Sequence, residues 1–112
     1  MKKVTIWHNP KCSTSRYVLE RLREAGAEPE IYLYLEEKPG KAELEAVLKK
    51  LKLKPSDLLR RKEDEARLLA NASEAQILAA MAKHPILIER PIVIAGRKAI
   101  LARPKERVEE VL

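Results

Sequence analysis

The chain has 112 residues, a length that fits one domain, and its 46% of hydrophobic residues can build a core. Its single cysteine, Cys12, excludes an internal disulfide framework and a cysteine-rich zinc site. The net charge of +6 favours an anionic partner. However, no Lys/Arg block is dense enough for a nucleic-acid tail, and the four aromatic residues are too scattered to stack bases, so we expect no nucleic-acid partner.

The apolar pattern also limits where the protein can reside. No apolar run reaches the roughly 20 residues that cross a bilayer, so we expect no membrane insertion. The start Met1-Lys2-Lys3 leads into an apolar run that is too short for a secretory signal and soon meets His8 and Asn9. We therefore expect a cytoplasmic protein.

The first third of the chain predicts a strand, a helix and a second strand. Lys3–Trp7 alternates apolar and polar residues and includes β-branched ones, which is typical of a strand. After an Asn-Pro turn, apolar residues recur at helical spacing from Ser13, and Gly26 fits the C-terminal cap of this helix. Glu30–Leu35 predicts the second strand. The unit is long enough for a right-handed crossover, so we expect the two strands to be parallel.

The middle of the chain predicts a helical block. Lys41–Leu53 carries an apolar stripe at helical spacing, and a short helix is expected to start near Pro55. Ser73 and Gln76 have the spacing of a capping box ahead of a further helix that runs to Lys83. These segments predict helices that pack through their apolar faces.

The last third predicts strands and a terminal helix. Ile86–Ile88 and Ile92–Ala95 are short apolar runs typical of strands. A glycine-containing turn then leads into a strand at Ala99–Ala102, which gives a hairpin, and a helix is expected to begin near Pro104. The order is β-α-β, a helical insertion and β-β-α. We therefore expect an α/β fold in which helices cover a mixed central sheet.

Cys12 lies between the first predicted strand and the first predicted helix. The carboxyl end of a strand is where open α/β sheets place their ligands. A helix N-terminus adds unpaired N–H groups and the positive end of the dipole, which favour the thiolate and can also hold an oxyanion. Nearby side chains that add positive charge or hydrogen-bond donors are Lys11, Arg16, His8, Thr14 and Ser15. This pattern predicts a reactive thiol beside an anion site.

The same residues have plainer interpretations. A lone cysteine is often a small buried hydrophobe, and His8 could supply charge or merely hold the loop. Ser15 stands where a C-x-x-C redox pair would have its second thiol, so any disulfide chemistry must use an outside thiol. The loop also lacks the G-x-x-x-x-G-K-[ST] pattern of a phosphate-binding loop.

Three arginines lie at boundaries of predicted elements: Arg60, Arg90 and Arg103. Guanidinium groups match tetrahedral oxyanions with paired donors, so these arginines are candidates for binding a charged substrate. The ordinary alternative for any one of them is a surface charge. Arg90 precedes Pro91, where a cis peptide bond would shape the wall of a site, although the trans bond is the common form.

Three stretches together resemble the glutaredoxin-dependent arsenate reductases: TIWHNPKCSTSRYVLERLREAGAEPEIYLYLE, DLLR, and HPILIERPIVI with a later RP. The resemblance spans nearly the whole chain. The combination of H-N-P-x-C-x-T-S-R with H-P-I-L-I-x-R-P-I-V is more specific than either motif alone. Ser13 stands where many members of the family carry glycine, and the charged stretch after Arg60 is only loosely similar.

The resemblance implies a thioredoxin-like fold, a three-layer α/β sandwich in a single domain of residues 1–112 with a helical insertion at about 40–83. It implies that Cys12 is the catalytic nucleophile, that His8 tunes the thiol, and that Pro91 is the structural cis proline of the fold. The residues that it implies for oxyanion binding are Arg60, Arg90, Arg103, Ser13, Thr14 and Ser15.

The implied reaction is the reduction of arsenate to arsenite. The Cys12 thiolate attacks arsenic, glutathione attacks the adduct, and glutaredoxin removes the glutathione. The implied partners are therefore arsenate, glutathione as co-substrate, and glutaredoxin or another thiol donor, with no bound cofactor and no metal. If the source lacks glutathione, the donor must differ.

Two other functions stay open. The same fold family includes non-catalytic regulators that bind RNA polymerase; their redox-sensing members carry a C-x-x-C switch, against which Ser15 argues. A thiol-dependent reductase of another substrate is the second alternative. Cys12 together with the three matching arginines favours arsenate. The roles of Ser13 and of Arg61, which directly follows Arg60, stay open as well.

Overall fold

The structure, a computed structural model, describes residues 3–112; the first two residues of the start that predicts no secretory signal lie outside the described part. The chain divides into two compact units. One is formed by the chain up to Tyr34 together with Arg90–Leu112, and the other by Leu35–Glu89. Within the described residues, no helix is long and apolar enough to span a membrane.

The first unit contains a four-stranded mixed sheet. Its strands are β1 (Val4–Trp7), β2 (Glu30–Tyr32), β3 (Ile92–Ala95) and β4 (Lys98–Leu101). They lie in the order β2-β1-β3-β4: β1 pairs with β2 in parallel, and β3 pairs with β1 and β4 antiparallel. The mixed sheet, the parallel strand–helix–strand unit and the hairpin were predicted from the sequence and are confirmed.

Helix α1 (Ser13–Glu24) connects β1 to β2 and packs against the sheet. Its apolar residues recur at helical spacing, and Val18 and Leu22 are buried with residues of β1, β3 and β4. The chain leaves the helix at Gly26, whose φ of +88° lies in the left-handed region that glycine adopts without strain. The predicted cap is therefore confirmed, and it turns the chain towards β2.

The C-terminal segment closes the same core. Lys105–Val111 forms a 3₁₀ helix rather than an α-helix, and its Val108 is fully buried in the core cluster. Arg21 of α1 donates two hydrogen bonds to the carboxylate of Glu109, at 2.7 and 2.8 Å. This bidentate pair ties the terminal helix to α1, although its exposure limits what it adds to stability.

The second predicted strand is shorter than expected. Predicted over Glu30–Leu35, it ends at Tyr32, and Tyr34–Glu37 forms a helical turn, α2. The reason is tertiary packing: the Tyr34 ring is buried and stacks on Trp7 with 6.3 Å between ring centroids. This contact outweighs the strand propensity of the local sequence.

The second unit is built from helices. They are α3 (Lys41–Leu51), α4 (Pro55–Leu58), α5 (Glu74–Lys83) and 3₁₀ turns at Asp64–Leu69 and Pro85–Leu87. The capping box is confirmed, since Gln76 N–H donates to Ser73 Oγ at 3.2 Å and Ser73 N–H donates to Gln76 Oε1 at 2.8 Å. The predicted helical insertion at about 40–83 falls within this unit, and the single-domain organisation stays a prediction.

The strand predicted at Ile86–Ile88 is wrong. Pro85 begins a 3₁₀ turn there, and Leu87 N–H donates to the carbonyl of His84 instead of to a neighbouring strand. The remaining pairing is an isolated antiparallel bridge between Leu59 and Ile88. A short apolar run does not distinguish a strand from a buried turn, and here the proline decides in favour of the turn.

Candidate active site

The loop between β1 and α1 lies beside the start of β3. Trp7, the last residue of β1, pairs with Ile92, the first residue of β3. The residues that follow Trp7 therefore lie next to those that precede Ile92, namely Arg90 and Pro91. The Arg90–Pro91 peptide bond is cis, as the resemblance implies, and so is the bond between Arg103 and Pro104. The pairing register of the sheet thus brings distant parts of the chain to one place.

Asn9 organises this loop from a buried position. Its carbonyl oxygen accepts the N–H of Cys12 at 3.0 Å, and its Oδ1 accepts the N–H of Lys11 at 3.0 Å. An asparagine side chain that bonds the backbone two residues ahead forms an Asx turn. Asn9 thus fixes the backbone just before the thiol. Asn9 is not among the site residues predicted from the sequence.

Cys12 occupies the N-cap position of α1 and is partly exposed. The Arg16 N–H donates to the Cys12 carbonyl at 3.0 Å, which is the first bond of the helix. Within residues 3–112, the N–H groups of Ser13, Thr14 and Ser15 have no acceptor. The first turn holds no acidic residue, so the positive end of the helix dipole is not offset there. The thiol therefore stands beside three donors that can receive an anion.

His8 and Ser15 form a buried pair below this loop. His8 Nδ1 lies 2.6 Å from Ser15 Oγ, and the same Oγ accepts the N–H of Asn9 at 3.1 Å. Since Oγ already accepts the Asn9 amide, its hydroxyl proton can be donated to a neutral Nδ1. The Ser15 side chain is thus occupied inside the loop, and its free amide is the group that it can offer to a substrate.

The pKa of His8 is lowered from its ordinary value of 6.5, first by burial and then by repulsion from Arg23 and Arg16. The side chain is 6% exposed. His8 is therefore neutral at physiological pH, and the sequence-based idea that it adds positive charge near the thiol is not supported. What the structure shows for His8 is its contact with Ser15 inside the loop.

Arg103 approaches the thiol directly. Its Nε–H donates to the carbonyl oxygen of Arg90 at 2.8 Å, and its Nη2 lies 3.8 Å from Cys12 Sγ. A guanidinium at this distance stabilises negative charge on sulfur. The bond to the Arg90 carbonyl fixes the direction in which the guanidinium points, so the residues around the cis peptide set the position of Arg103.

Arg90 is the most unusual residue of the site because it is a cation that is only 7% exposed. Within residues 3–112, its Nε and Nη1 are buried and have no hydrogen-bond partner. A buried cation without a partner is costly, so its presence calls for a ligand of opposite charge. A bound oxyanion would supply both the charge and the missing acceptors.

Arg60 lies in the second unit, and its side chain is mostly buried there. Its Nε is 3.0 Å from Glu63 Oε1, and its Nη1 is 3.8 Å from Glu89 Oε1. Among the described residues the Nε–H has no hydrogen-bond acceptor, so the contact with Glu63 is an ion pair only. Arg61 is exposed and reaches the Ser56 carbonyl at 3.4 Å. Oxyanion binding by Arg60 stays a prediction.

The structure thus gathers most of the predicted residues within the first unit. Those around the loop are His8, Cys12, Ser13, Thr14, Ser15, Arg90, Pro91 and Arg103. Asn9 joins them, and the signal that could have found it is a polar side chain followed by proline at the end of a buried strand. Within the described residues, no group of three or more His, Cys, Asp or Glu could hold a metal ion.

This geometry defines the class of protein: an α/β protein with a single thiol at the start of a helix whose free N–H groups can accept an anion. The chain belongs to the ArsC family, whose model matches residues 7–111. The similarity extends over almost the entire chain, so it includes both units and every predicted site residue.

The relatives agree with this membership. The chain is 44% identical over 116 residues to the uncharacterized protein YfgD of Escherichia coli strain K12, with 99% of this chain and 98% of that protein covered. It is 40% identical over 116 residues to an arsenate reductase of Escherichia coli, with 100% of this chain and 82% of that protein covered. An arsenate reductase structure from Vibrio cholerae matches with a TM-score of 0.93 at 40% identity, over 99% of this chain and 98% of the other. The predicted thioredoxin-like fold is confirmed.

Proposed function

We propose that this protein is an arsenate reductase, which converts arsenate to arsenite through a covalent adduct on Cys12. The observation that carries the proposal is the buried Arg90, whose Nε and Nη1 have no hydrogen-bond partner within residues 3–112 although the residue lies beside an anion-accepting loop. Relatives about 40% identical to this chain are named arsenate reductases, which supports the same substrate.

Substrate binding follows from the donors of the site. Arsenate at neutral pH is a tetrahedral oxyanion, and the free amides of Ser13, Thr14 and Ser15 can each donate to one of its oxygens. Arg90 and Arg103 add charge and paired N–H donors. We include Arg60 in the substrate site on the strength of the family resemblance alone.

In the first chemical step, the Cys12 thiolate attacks arsenic. An As–S bond forms, and one arsenate oxygen takes up protons and leaves as water. Charge on the remaining oxygens is stabilised by Arg103 and by the amides of the loop, which are already in place before the reaction. His8 acts by holding Ser15, and Asn9 acts by holding the backbone of Cys12.

The reduction requires two outside thiols, because the chain has one cysteine. Glutathione displaces a second oxygen from the adduct and forms its own As–S bond. The glutaredoxin thiolate then attacks the glutathione sulfur, and the electron pair of that As–S bond passes to arsenic, which becomes As(III). Hydrolysis of the Cys12–arsenic bond releases arsenite and restores the thiolate. No bound cofactor is proposed.

A lone nucleophilic thiol that depends on outside thiols works only where thiols stay reduced. Glutathione and thioredoxin systems keep cytosolic thiols in that state. We therefore propose a cytoplasmic location for the protein.

A coupled assay tests the proposed function. Arsenate, glutathione, glutaredoxin, glutathione reductase and NADPH are supplied, and the loss of NADPH is followed. We expect turnover that depends on arsenate and disappears in Cys12→Ser. Wild-type turnover equal to that of Cys12→Ser would refute the proposed activity. Replacing glutaredoxin with thioredoxin in a parallel reaction tests the thiol donor, since turnover with thioredoxin alone would overturn the dependence on glutaredoxin.

A further inference from the structure

A cavity of about 380 Å³ runs along one face of α1, next to the thiol loop. The residues that line it are His8, Pro10, Arg16, Leu19, Glu20 and Arg23. Leu19, Glu20 and Arg23 lie three, four and seven residues after Arg16, so the four residues share one face of α1. A second cavity of about 450 Å³ also has Arg23 in its wall and extends to Pro29. We call the first cavity the α1 groove; its volume is in the range of small-molecule sites.

The charges of the α1 groove are not paired with one another. Glu20 lies four residues after Arg16 and three before Arg23, the spacings at which ion pairs form on a helix. Within residues 3–112, neither arginine makes an ion pair with it; Arg16 instead donates from Nη1 to the carbonyl of Pro10 at 2.9 Å. The groove therefore offers two cationic groups and one carboxylate to a ligand.

Arg16 and Arg23 also influence His8, which lines the buried end of the groove. Both lower the pKa of His8, after burial, so their positive charge acts on the end of the groove that His8 lines. A ligand with carboxylates would compensate it. The groove also adjoins the loop that carries the thiol, because Pro10 is two residues before Cys12 and the Arg16 N–H donates to the Cys12 carbonyl at 3.0 Å.

We propose that the α1 groove is the binding site of the thiol donor, and that the donor is a peptide thiol with two carboxylates and one ammonium group, as glutathione is. Arg16 and Arg23 take the carboxylates, and Glu20 takes the ammonium group. The arginines are about 10 Å apart along the helix, a distance that a tripeptide can span. The assignment rests on the proposed function, which requires an outside thiol, but it adds the site and the charge pattern of the donor.

Thiol–disulfide exchange tests the groove without arsenate. The Cys12 thiolate attacks glutathione disulfide, a mixed disulfide forms at Cys12, and one glutathione thiolate leaves, so no outside oxidant is needed. The rate is compared with that for 2-hydroxyethyl disulfide, which is uncharged. The variants are Arg23→Gln and Glu20→Gln, and the control is Arg97→Gln, which removes the same charge from the exposed hairpin turn.

We expect Arg23→Gln and Glu20→Gln each to slow exchange with glutathione disulfide by about threefold to fivefold, the upper range for an exposed ion pair. Exchange with 2-hydroxyethyl disulfide should be unchanged, as should both rates in Arg97→Gln. An equal loss with both disulfides, an equal loss in the control, or no loss at all would overturn the proposal. Faster exchange of Glu20→Gln with glutathione disulfide would overturn the peptide assignment, because a site for simple anions would gain from losing that carboxylate.

The outcome is independent of the arsenate chemistry. A protein that fails to reduce arsenate but keeps the charge preference in exchange would refute the proposed function and leave the groove assignment standing. A protein that reduces arsenate but shows no charge preference in exchange would support the proposed function and refute the groove assignment.

Discussion

Arg103 holds its guanidinium Nη2 3.8 Å from the Sγ of Cys12, although the two residues are 91 positions apart in the chain. The contact is possible because β3 lies between β1 and β4: Ile92 pairs with Trp7 on one side and with Leu101 on the other, which brings the residues after β4 towards the thiol loop. A second bond, from Arg103 Nε to the Arg90 carbonyl, fixes the orientation of the Arg103 guanidinium. The positive charge beside the thiol therefore comes from Arg103, which follows the last strand of the chain.

Replacing Arg103 by glutamine should slow the reaction of Cys12 with iodoacetamide at pH 7 by about threefold to tenfold. The reason is that the Arg103 guanidinium, 3.8 Å from Sγ, no longer stabilises negative charge on the sulfur that attacks the reagent. Arg97→Gln removes the same charge from the hairpin turn and should alkylate at the wild-type rate. Equal rates for Arg103→Gln and the wild type would mean that Arg103 does not act on the sulfur.

Arg90→Met should separate activity from stability. With no acceptor on its buried Nε and Nη1, Arg90 is a cost to the fold, so an apolar side chain of similar length should not lower the free energy of unfolding and could raise it by about 1 kcal/mol. Loss of an anion-binding cation should lower kcat/KM for arsenate by about a hundredfold or more. Urea unfolding and steady-state kinetics measure the two effects. Wild-type kinetics would remove Arg90 from the site.

The lowered pKa of His8 predicts a pH dependence of stability. Below pH 6.5 the unfolded chain takes up a proton on His8 that the folded chain does not, so stability falls as the pH drops through that value. His8→Asn cannot titrate, and its unfolding free energy should fall less between pH 7 and pH 5. Parallel curves for His8→Asn and the wild type would contradict the lowered pKa.

Asn9→Ala tests the turn that positions Cys12. The substitution removes the acceptor of the Lys11 N–H and should destabilise the fold by about 1 kcal/mol, while kcat/KM falls by about tenfold because the loop amides lose their alignment. Asn9→Asp keeps the acceptor oxygen and should recover the stability. It should still bind arsenate poorly, because it adds negative charge beside the anion site. A fully active Asn9→Ala would show that the turn forms without the side chain.

The parts of the fold that depend on local sequence could be predicted. The cap at Gly26, the capping box at Ser73 and the hairpin all follow from interactions between residues close in the chain. The end of β2 could not be predicted, because it is set by the packing of Tyr34 on Trp7. The turn at Pro85 was missed because a short apolar run allows either structure.

The site shows the same division. Cys12 at the helix start follows from the order of strand and helix, but the occupation of the Ser15 hydroxyl by His8 depends on how the loop folds back on itself. The neutral state of His8 depends on its burial and on the arginines of α1 that lie near it. A sequence motif shows neither the burial of a residue nor its neighbours in space. Asn9 could not be predicted as a site residue because it works through backbone bonds, which the residue type alone does not reveal.

The most direct measurement of the central claim is the yield of arsenite itself. Arsenate is incubated with the protein, glutathione, glutaredoxin and a measured amount of NADPH with glutathione reductase, and the arsenic species are separated and counted. The account predicts one arsenite per NADPH consumed for the wild type and none above background for Cys12→Ser. NADPH consumption without arsenite, or arsenite formed equally well by Cys12→Ser, would contradict it.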